Sequence, residues 1–291
     1  MSFSIDICVP HAFRMLTEAV SQVLGEACFQ VINEPGTFCG LRLNSIDHST
    51  VCCVNAQFSV DAAAITGQGC FCINTSDFLT LLQSLNNTCI LNLSHDAAES
   101  VVKLRSVDRG KSTGKCYALP LIAREVEDLA LTDLQTVYQV HVNAARLVSY
   151  LNICKKLKYD GVQLSIHQEP TGDGTVTRYF TMHAEGTQGG YNRETYVQTD
   201  VAVDSSAMRE GDASDVLATT FDGGPPPAAT LLYQQTFNRD FMSKFCRNAP
   251  AGKHTEIGMC GTDKPIIMHH DLGVENSHVR LVLASLVDAD C

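Results

Sequence analysis

The sequence predicts an α+β chain of two similar domains, with helices covering one face of antiparallel sheets. Two observations carry this expectation. A strand–helix–strands unit recurs four times along the chain, and each unit offers one apolar helix face and one sheet face to bury. The length of 291 residues suits one large domain or two ordinary ones, and 45% apolar with 18% charged residues is the composition of a folded globular chain.

The first unit reads as a strand at 3–9, then a helix over 10–27 that Pro10 is suited to open and that lines up Phe13, Leu16, Val20 and Leu24. Strands are predicted at 28–32, 38–45 and 50–58. The second has a strand at 69–73, a helix opened by Thr75-Ser76-Asp77 with Phe78, Leu81, Leu82 and Leu85 on one face, and strands at 89–94 and 100–106. The third has a strand at 137–142, a helix from Asn143 carrying Leu147, Tyr150, Leu151 and Cys154, and strands at 161–167 and 178–184. The fourth has a strand at 230–237, a helix from Asn238 with Phe241, Met242 and Phe245, and strands at 255–261, 265–271 and 278–287. With two units per domain, the domains are 1–120 and 137–291, joined by an acidic connector at 121–136. The pattern is weakest at 185–229, where one strand is predicted at 194–203 and the rest reads as loop from its Gly, Pro, Ser and Asp content.

No apolar run approaches about 20 residues, so no membrane-spanning helix is predicted. The opening MSFSIDICVPHAF lacks a basic segment followed by a long apolar core, so the thirteen cysteines are expected to be reduced, in an intracellular chain. The Asn74, Asn86 and Asn92 sequons are then accidental.

The formal net charge is −11, yet the helices run against it. Arg14 lies on the first, none on the second, Arg146, Lys155, Lys156 and Lys158 on the third, and Arg239, Lys244 and Arg247 on the fourth. The acids of the same segments are Glu18, Glu26, Asp77 and Asp240. Such a face is either a solvated surface or a lining that meets a phosphate backbone without reading its sequence. The stretch LRLNSIDHSTVCCV (41–54) raises a second question, because Ile46 stands in a polar turn beside Val51 and Cys53, where exposure is expected. Contiguous exposed apolar surface marks an interaction site.

These residues carry a family resemblance. AFRMLTEAVSQVLGEACFQV, LRLNSIDHSTVCCV, YALPLIAREVEDLAL, TEIGMCGTDKPIIMHH and HVRLVLA, in this order and spacing, resemble the DNA sliding clamps of the PCNA (proliferating cell nuclear antigen) type. The resemblance implies two DNA-clamp domains per chain and a head-to-tail homotrimeric ring around double-stranded DNA, held without sequence preference. Arg14, Arg146, Lys155, Lys156, Lys158, Lys244 and Arg247 would face the DNA. It implies a pocket for clamp-binding peptides of DNA polymerase and other replication and repair proteins, walled by Ile46, Val51, Cys53, Leu129, Leu131, Pro265, Val282 and Ala284. A clamp loader ATPase, a nuclear location or a viral replication compartment, and no cofactor or membrane partner are also implied. Ring closure would pair residues 112–118 of one subunit with 194–201 of the next.

Several residues depart from the family pattern. Thr50 and Cys53 stand where a histidine and a leucine are common, Val282 replaces an aromatic, Ser285 a proline, and Thr80 and Gln83 replace lysines. No lysine occurs from Tyr159 to Ser243, so a ubiquitin-type switch has no acceptor there. The alternatives are a subunit of a heterotrimeric checkpoint clamp and a monomeric, ring-free processivity factor. Neither the Cys52-Cys53 and Cys70-Phe-Cys72 pairs nor His269-His270 have a partner motif in register for zinc. The stretch GKSTGK (110–115) lacks Walker spacing, Cys291 is the thiol expected to react most readily, and no catalytic site is expected.

Overall fold

The computed structural model describes residues 2–108, 114–124, 134–170, 176–185, 191–198, 202–203, 219–221, 229–247 and 254–286. In the first part of the chain β1 (Phe3–Ile7), α1 (Pro10–Ser21), β2 (Glu26–Glu34), β3 (Phe38–Ile46) and β4 (Cys52–Ser59) form one strand–helix–three-strand run. A 3₁₀ turn (Ala62–Ala64) and the short β5 (Ile65–Gly67) lead to a second run of β6 (Gly69–Asn74), α2 (Thr75–Gln83), β7 (Cys89–His95), β8 (Val101–Asp108) and β9 (Gly114–Pro120). The third run is β10 (Tyr138–Asn143), α3 (Ala144–Lys156), β11 (Gly161–Pro170), β12 (Val176–Glu185) and β13 (Tyr191–Gln198). After β14 (Ala202–Val203) and β15 (Thr219–Phe221) comes the fourth: β16 (Thr230–Asn238), α4 (Arg239–Cys246), β17 (His254–Met259), β18 (Ile266–Asp271) and β19 (His278–Leu283). The fourfold repeat read from the sequence is therefore present.

The chain divides into two compact units, Met1–Ala130 with His270–Arg280, and Leu131–His269 with Leu281–Cys291. In unit 1 one sheet runs β5-β1-β7-β8-β9 and another stretch runs β4-β3-β2-β6, all antiparallel where paired. Its core is a chain of phenylalanine rings. Phe3 meets Phe71 (5.4 Å), Phe71 meets Phe29 (5.4 Å), Phe29 meets Phe78 (6.3 Å), Phe78 meets Phe13 (5.9 Å) and Phe13 meets Phe58 (5.2 Å). Both helices are thereby fastened to β2 and β4, and Phe3 of β1 joins the row through Phe71, with edge-to-face pairs adding to the area buried. In unit 2 the corresponding stretches run β14-β10-β17-β18 and β15-β13-β12-β11-β16. There Leu147, Tyr150, Leu151 and Cys154 of α3 and Met242 and Phe245 of α4 are fully buried.

Three helices begin on an asparagine that ends the preceding strand. Asn74 Oδ1 accepts from Ser76 N and Asp77 N (both 3.0 Å), Asn143 Oδ1 from Arg146 N (3.1 Å), and Asn238 Oδ1 from Asp240 N (2.9 Å) and Phe241 N (3.4 Å). Each cap satisfies orphan amide donors of a first turn. α1 has no such cap and uses Pro10 at its first position.

The structure corrects several expectations. The first helix stops at Ser21 because Leu24-Gly25 turns the chain into β2, which starts at Glu26. Phe241 is half-buried where the periodicity places it inside. The strand expected over 194–203 is split, with β13 ending at Gln198 and β14 bonding to β10 instead. Residues 219–221, read as loop, form β15, which pairs Thr195↔Phe221, Tyr196↔Thr220 and Val197↔Thr219 on β13. The outer edge of β13, which the sequence reading left free for another subunit, is thus partly occupied by the chain's own strand. The thiols are not all reduced either: Cys28 and Cys72, direct partners across β2 and β6, form a disulfide. Adjacent-strand register, invisible in sequence spacing, brings them together. Cys291 and residues 110–113 lie outside the described residues.

Candidate nucleic-acid interface

The helix cations fall into two unequal sets. In unit 1 Arg14 is already engaged, with Nε 3.9 Å from Glu18 Oε1 and Nη2 3.3 Å from His11 Nδ1. α2 turns Ser76, Asp77, Thr80 and Gln83 to solvent and carries no cation. A positive charge reaches it from β9, where Lys115 Nζ donates to the Ser84 carbonyl at 3.1 Å. Ser84 caps α2, so the ammonium meets the negative end of the helix dipole. This contact joins a strand residue to the end of a helix 31 positions away and depends on tertiary structure.

In unit 2 Arg146, Lys155, Lys156, Lys158, Lys244 and Arg247 are all exposed. α3 and α4 pack against each other, so these side chains belong to one helical layer. Lys155 and Lys156 occupy the last turn of α3, Lys158 follows at a left-handed φ of 59°, and Lys244 Nζ stands 5.4 Å from the centre of the Phe241 ring. Arg239 does not belong to this set. It is 6% exposed, its Nε donates to the Tyr159 carbonyl (2.6 Å), and its Nη atoms pair with Asp240 (2.7 Å) and Asp160 (3.9 Å).

The β3–β4 hairpin holds three of the expected pocket residues. Ile46 lies opposite Cys53; Ile46 and Val51 are half-buried, and Cys53 is buried. Ile46 is therefore not the freely exposed residue its polar turn suggests. The turn is organised by Asp47, whose carboxylate accepts from Val51 N (2.9 Å), Cys52 N (2.8 Å) and Ser49 N (3.0 Å), and from Ser49 Oγ. Burial works against its ionised form, but the hydrogen bonds from Ser49 and Cys52 outweigh it and hold the pKa below the ordinary 3.8. Thr50, at a left-handed φ of 57°, completes the turn by donating its amide to the Asp47 carbonyl.

No family model matches this sequence, and no curated protein matches it. The three-dimensional comparison is decisive instead. The chain is similar to the crystal structure of proliferating cellular nuclear antigen from Entamoeba histolytica, with a TM-score of 0.70 over 98% of this chain and 99% of that one, at 15% identity. The chain has the PCNA fold.

Within this PCNA fold three of the remaining expected pocket residues, Pro265, Val282 and Ala284, belong to unit 2. Pro265 and Val282 are half-buried, Ala284 is exposed, and Leu129 and Leu131 lie outside the described residues. A residue the sequence reading passed over, Gln235, organises the segment after Ala284. It is 9% exposed; its amide oxygen accepts from Ser285 Oγ (2.9 Å) and Asp263 N (3.1 Å), and its nitrogen donates to the Lys264 carbonyl (3.2 Å) and Tyr233 Oη (3.0 Å). Leu286 N donates to the Thr236 carbonyl at 2.8 Å, so the chain beyond β19 is tied along β16. Ser285, one of the departures from the family pattern, supplies a donor to this network that proline lacks. Strand alternation did offer a signal, because Tyr233 and Phe237 flank Gln235 on the inward face. Among the described residues no group of three or more His, Cys, Asp or Glu side chains is placed to hold a metal ion.

Proposed function

We propose that this chain is a DNA sliding clamp, a processivity factor that encircles duplex DNA as a trimeric ring and tethers polymerases and repair proteins. The observation that carries the proposal is the likeness to a proliferating cellular nuclear antigen over 98% of the chain. The exposed cations of α3 and α4 support a sequence-independent phosphate contact, strongest in unit 2. Tethering acts by effective concentration: a polymerase held on the ring rebinds instead of diffusing away. The chain would work as a scaffold without cofactor or enzymatic activity, in the nucleus, loaded by a separate ATPase. Its domains would be 1–120 and 137–291, and the connector 121–136 would cover a peptide pocket formed by Ile46, Val51, Cys53, Leu129, Leu131, Pro265, Val282 and Ala284. An aromatic anchor in that pocket would supply most of the partner's affinity. The partly occupied edge of β13 favours one second reading, a ring-free monomer that holds DNA on the cationic layer of unit 2.

Light scattering and retention on circular against linearised DNA test the proposal. A species of three times 31.6 kDa that stays on circular DNA and runs off linear DNA is the expected result. A monomer at every concentration, released equally from both forms, overturns the ring.

A further inference from the structure

We infer that β15 is an intramolecular plug on the assembly edge of β13, displaced by β9 of a second copy when the ring closes. The inference rests on the ring proposed above and adds its regulation.

The internal repeat identifies the strand that does not belong. β1-α1-β2-β3-β4 corresponds to β10-α3-β11-β12-β13, and β6-α2-β7-β8-β9 to β16-α4-β17-β18-β19. Of the additional strands, β5 pairs with β1 as β14 pairs with β10, so these two correspond to each other. Among the described residues β15 has no counterpart in unit 1.

Its position matters because of what its neighbour's counterpart does. β13 corresponds to β4, and in unit 1 the chain at the start of β19 lies against β4. Ser277 Oγ accepts from Ser59 N (2.9 Å), and His278 Nε2 is 3.3 Å from Asn55 Oδ1. β19 is in turn the counterpart of β9. By the repeat, then, the natural neighbour of β13 is a β9 strand, and β15 stands where it would bind.

β9 is suited to be that neighbour. It pairs with β8 on one side, stands last in its sheet order, and leaves Gly114, Lys115, Cys116 and Ala118 exposed. The plug is the weaker ladder. β15 pairs with three of the eight residues of β13, whereas β9 offers seven. An open edge of eight residues invites indiscriminate strand addition, and a short covering strand suppresses it until a longer partner arrives.

Hydrogen exchange of the full chain, below and above its assembly concentration, tests the inference. In the dilute protein the amides of 195–197 and 219–221 are expected to be protected together. On assembly 219–221 should exchange at least about tenfold faster, the loss expected when a strand-edge hydrogen bond is given up. Meanwhile 114–120 should become protected and Cys116 shielded from alkylation. The double variant Thr219→Pro, Phe221→Pro removes two of the plug's three backbone N–H groups and fixes its backbone against the ladder, and should lower the midpoint concentration of assembly by about tenfold per interface. A trimer in which 219–221 stays protected, or a variant that assembles no better than the parent, overturns the plug and leaves the ring standing. A parent and variant that both remain monomeric, with intact melting transitions, overturn the ring and the plug with it.

Discussion

Thr75 and Arg239 make the same pair of contacts in the two units. Each is the first residue of its helix, and each donates its backbone amide to the residue before a strand, Thr75 to Gly25 (3.0 Å) and Arg239 to Asp160 (2.9 Å). Each side chain then donates one residue further back, Thr75 Oγ1 to the Leu24 carbonyl (2.5 Å) and Arg239 Nε to the Tyr159 carbonyl (2.6 Å). The lock ties the end of one helical run to the start of the next, in unit 1 with a hydroxyl and in unit 2 with a guanidinium.

Arg239→Ala is expected to lower unfolding stability by about 1–3 kcal/mol, because it leaves the carbonyl of buried Tyr159 without its side-chain donor, while the exposed Asp160 and Asp240 carboxylates lose little. Urea unfolding measures this. The substitution should leave the salt dependence of DNA retention unchanged, since Arg239 is not in the solvent-facing layer.

The exposed lysines give the opposite result. Replacing Lys155, Lys156 and Lys158 together by alanine should move stability by no more than about 0.5 kcal/mol per site. If all three meet phosphates, the slope of log affinity against log salt should fall by about 2–3. Fluorescence anisotropy with duplex DNA at several salt concentrations reads the slope. An unchanged slope removes these residues from the interface.

Asp47 predicts an acid limb. Its carboxylate is held below 3.8 in the folded chain, so its stabilisation is complete above that value and is lost as pH falls through the lower folded value. Asp47→Ala should cost about 1–3 kcal/mol at neutral pH by stranding the Val51 and Cys52 amides. In unfolding curves across acid pH, the difference between parent and variant should shrink as the carboxylate protonates.

The Cys28–Cys72 bond closes a sequence separation of 44 residues within unit 1. Its loss through Cys28→Ser should lower stability by about 2–4 kcal/mol under non-reducing conditions, and by less when reductant is present for both proteins. Cys72 also neighbours the segment after β9: its carbonyl accepts from Ile122 N (2.8 Å), and its sulfur is 3.5 Å from the Arg124 carbonyl. Exchange at Ile122 should therefore quicken in the same variant.

Alkylation should order the free thiols. Cys8, Cys70 and Cys116 are exposed, whereas burial pushes the Cys246 thiol far up and raises Cys260 as well, with Lys264 opposing. Mass spectrometry after brief treatment of the dilute, unassembled protein with a maleimide should find label on the first three. Cys246 should react only after denaturation.

Much of the architecture was legible because the repeat is written in periodicity. Phe13, Leu16, Val20, Leu147, Tyr150 and Leu151 sit at helical spacing and are buried as that spacing requires. The hairpin around Asp47 was legible as a turn, though not as one that half-buries Ile46, since burial depends on neighbours distant in sequence. Arg239 was misread for the same reason: a basic residue on a helix looks solvent-facing until the carbonyl of Tyr159 is found beside it. Gln235 and its link to Ser285 join segments separated by fifty residues, and no local pattern announces them.

By itself the sequence determined the fourfold alternation of strand, helix and strands, the helix starts, and the excess of cations on the later helices. These follow from short-range rules, in which caps, side-chain period and charge act within a turn or a strand. Tertiary structure alone decided which cysteines bond, which arginine is buried, and that β15 lies on β13. Those outcomes depend on strand register and on which edge finds a partner. Register is settled by the burial of a whole sheet face, and three residues of strand in an otherwise polar stretch carry too little pattern to declare it.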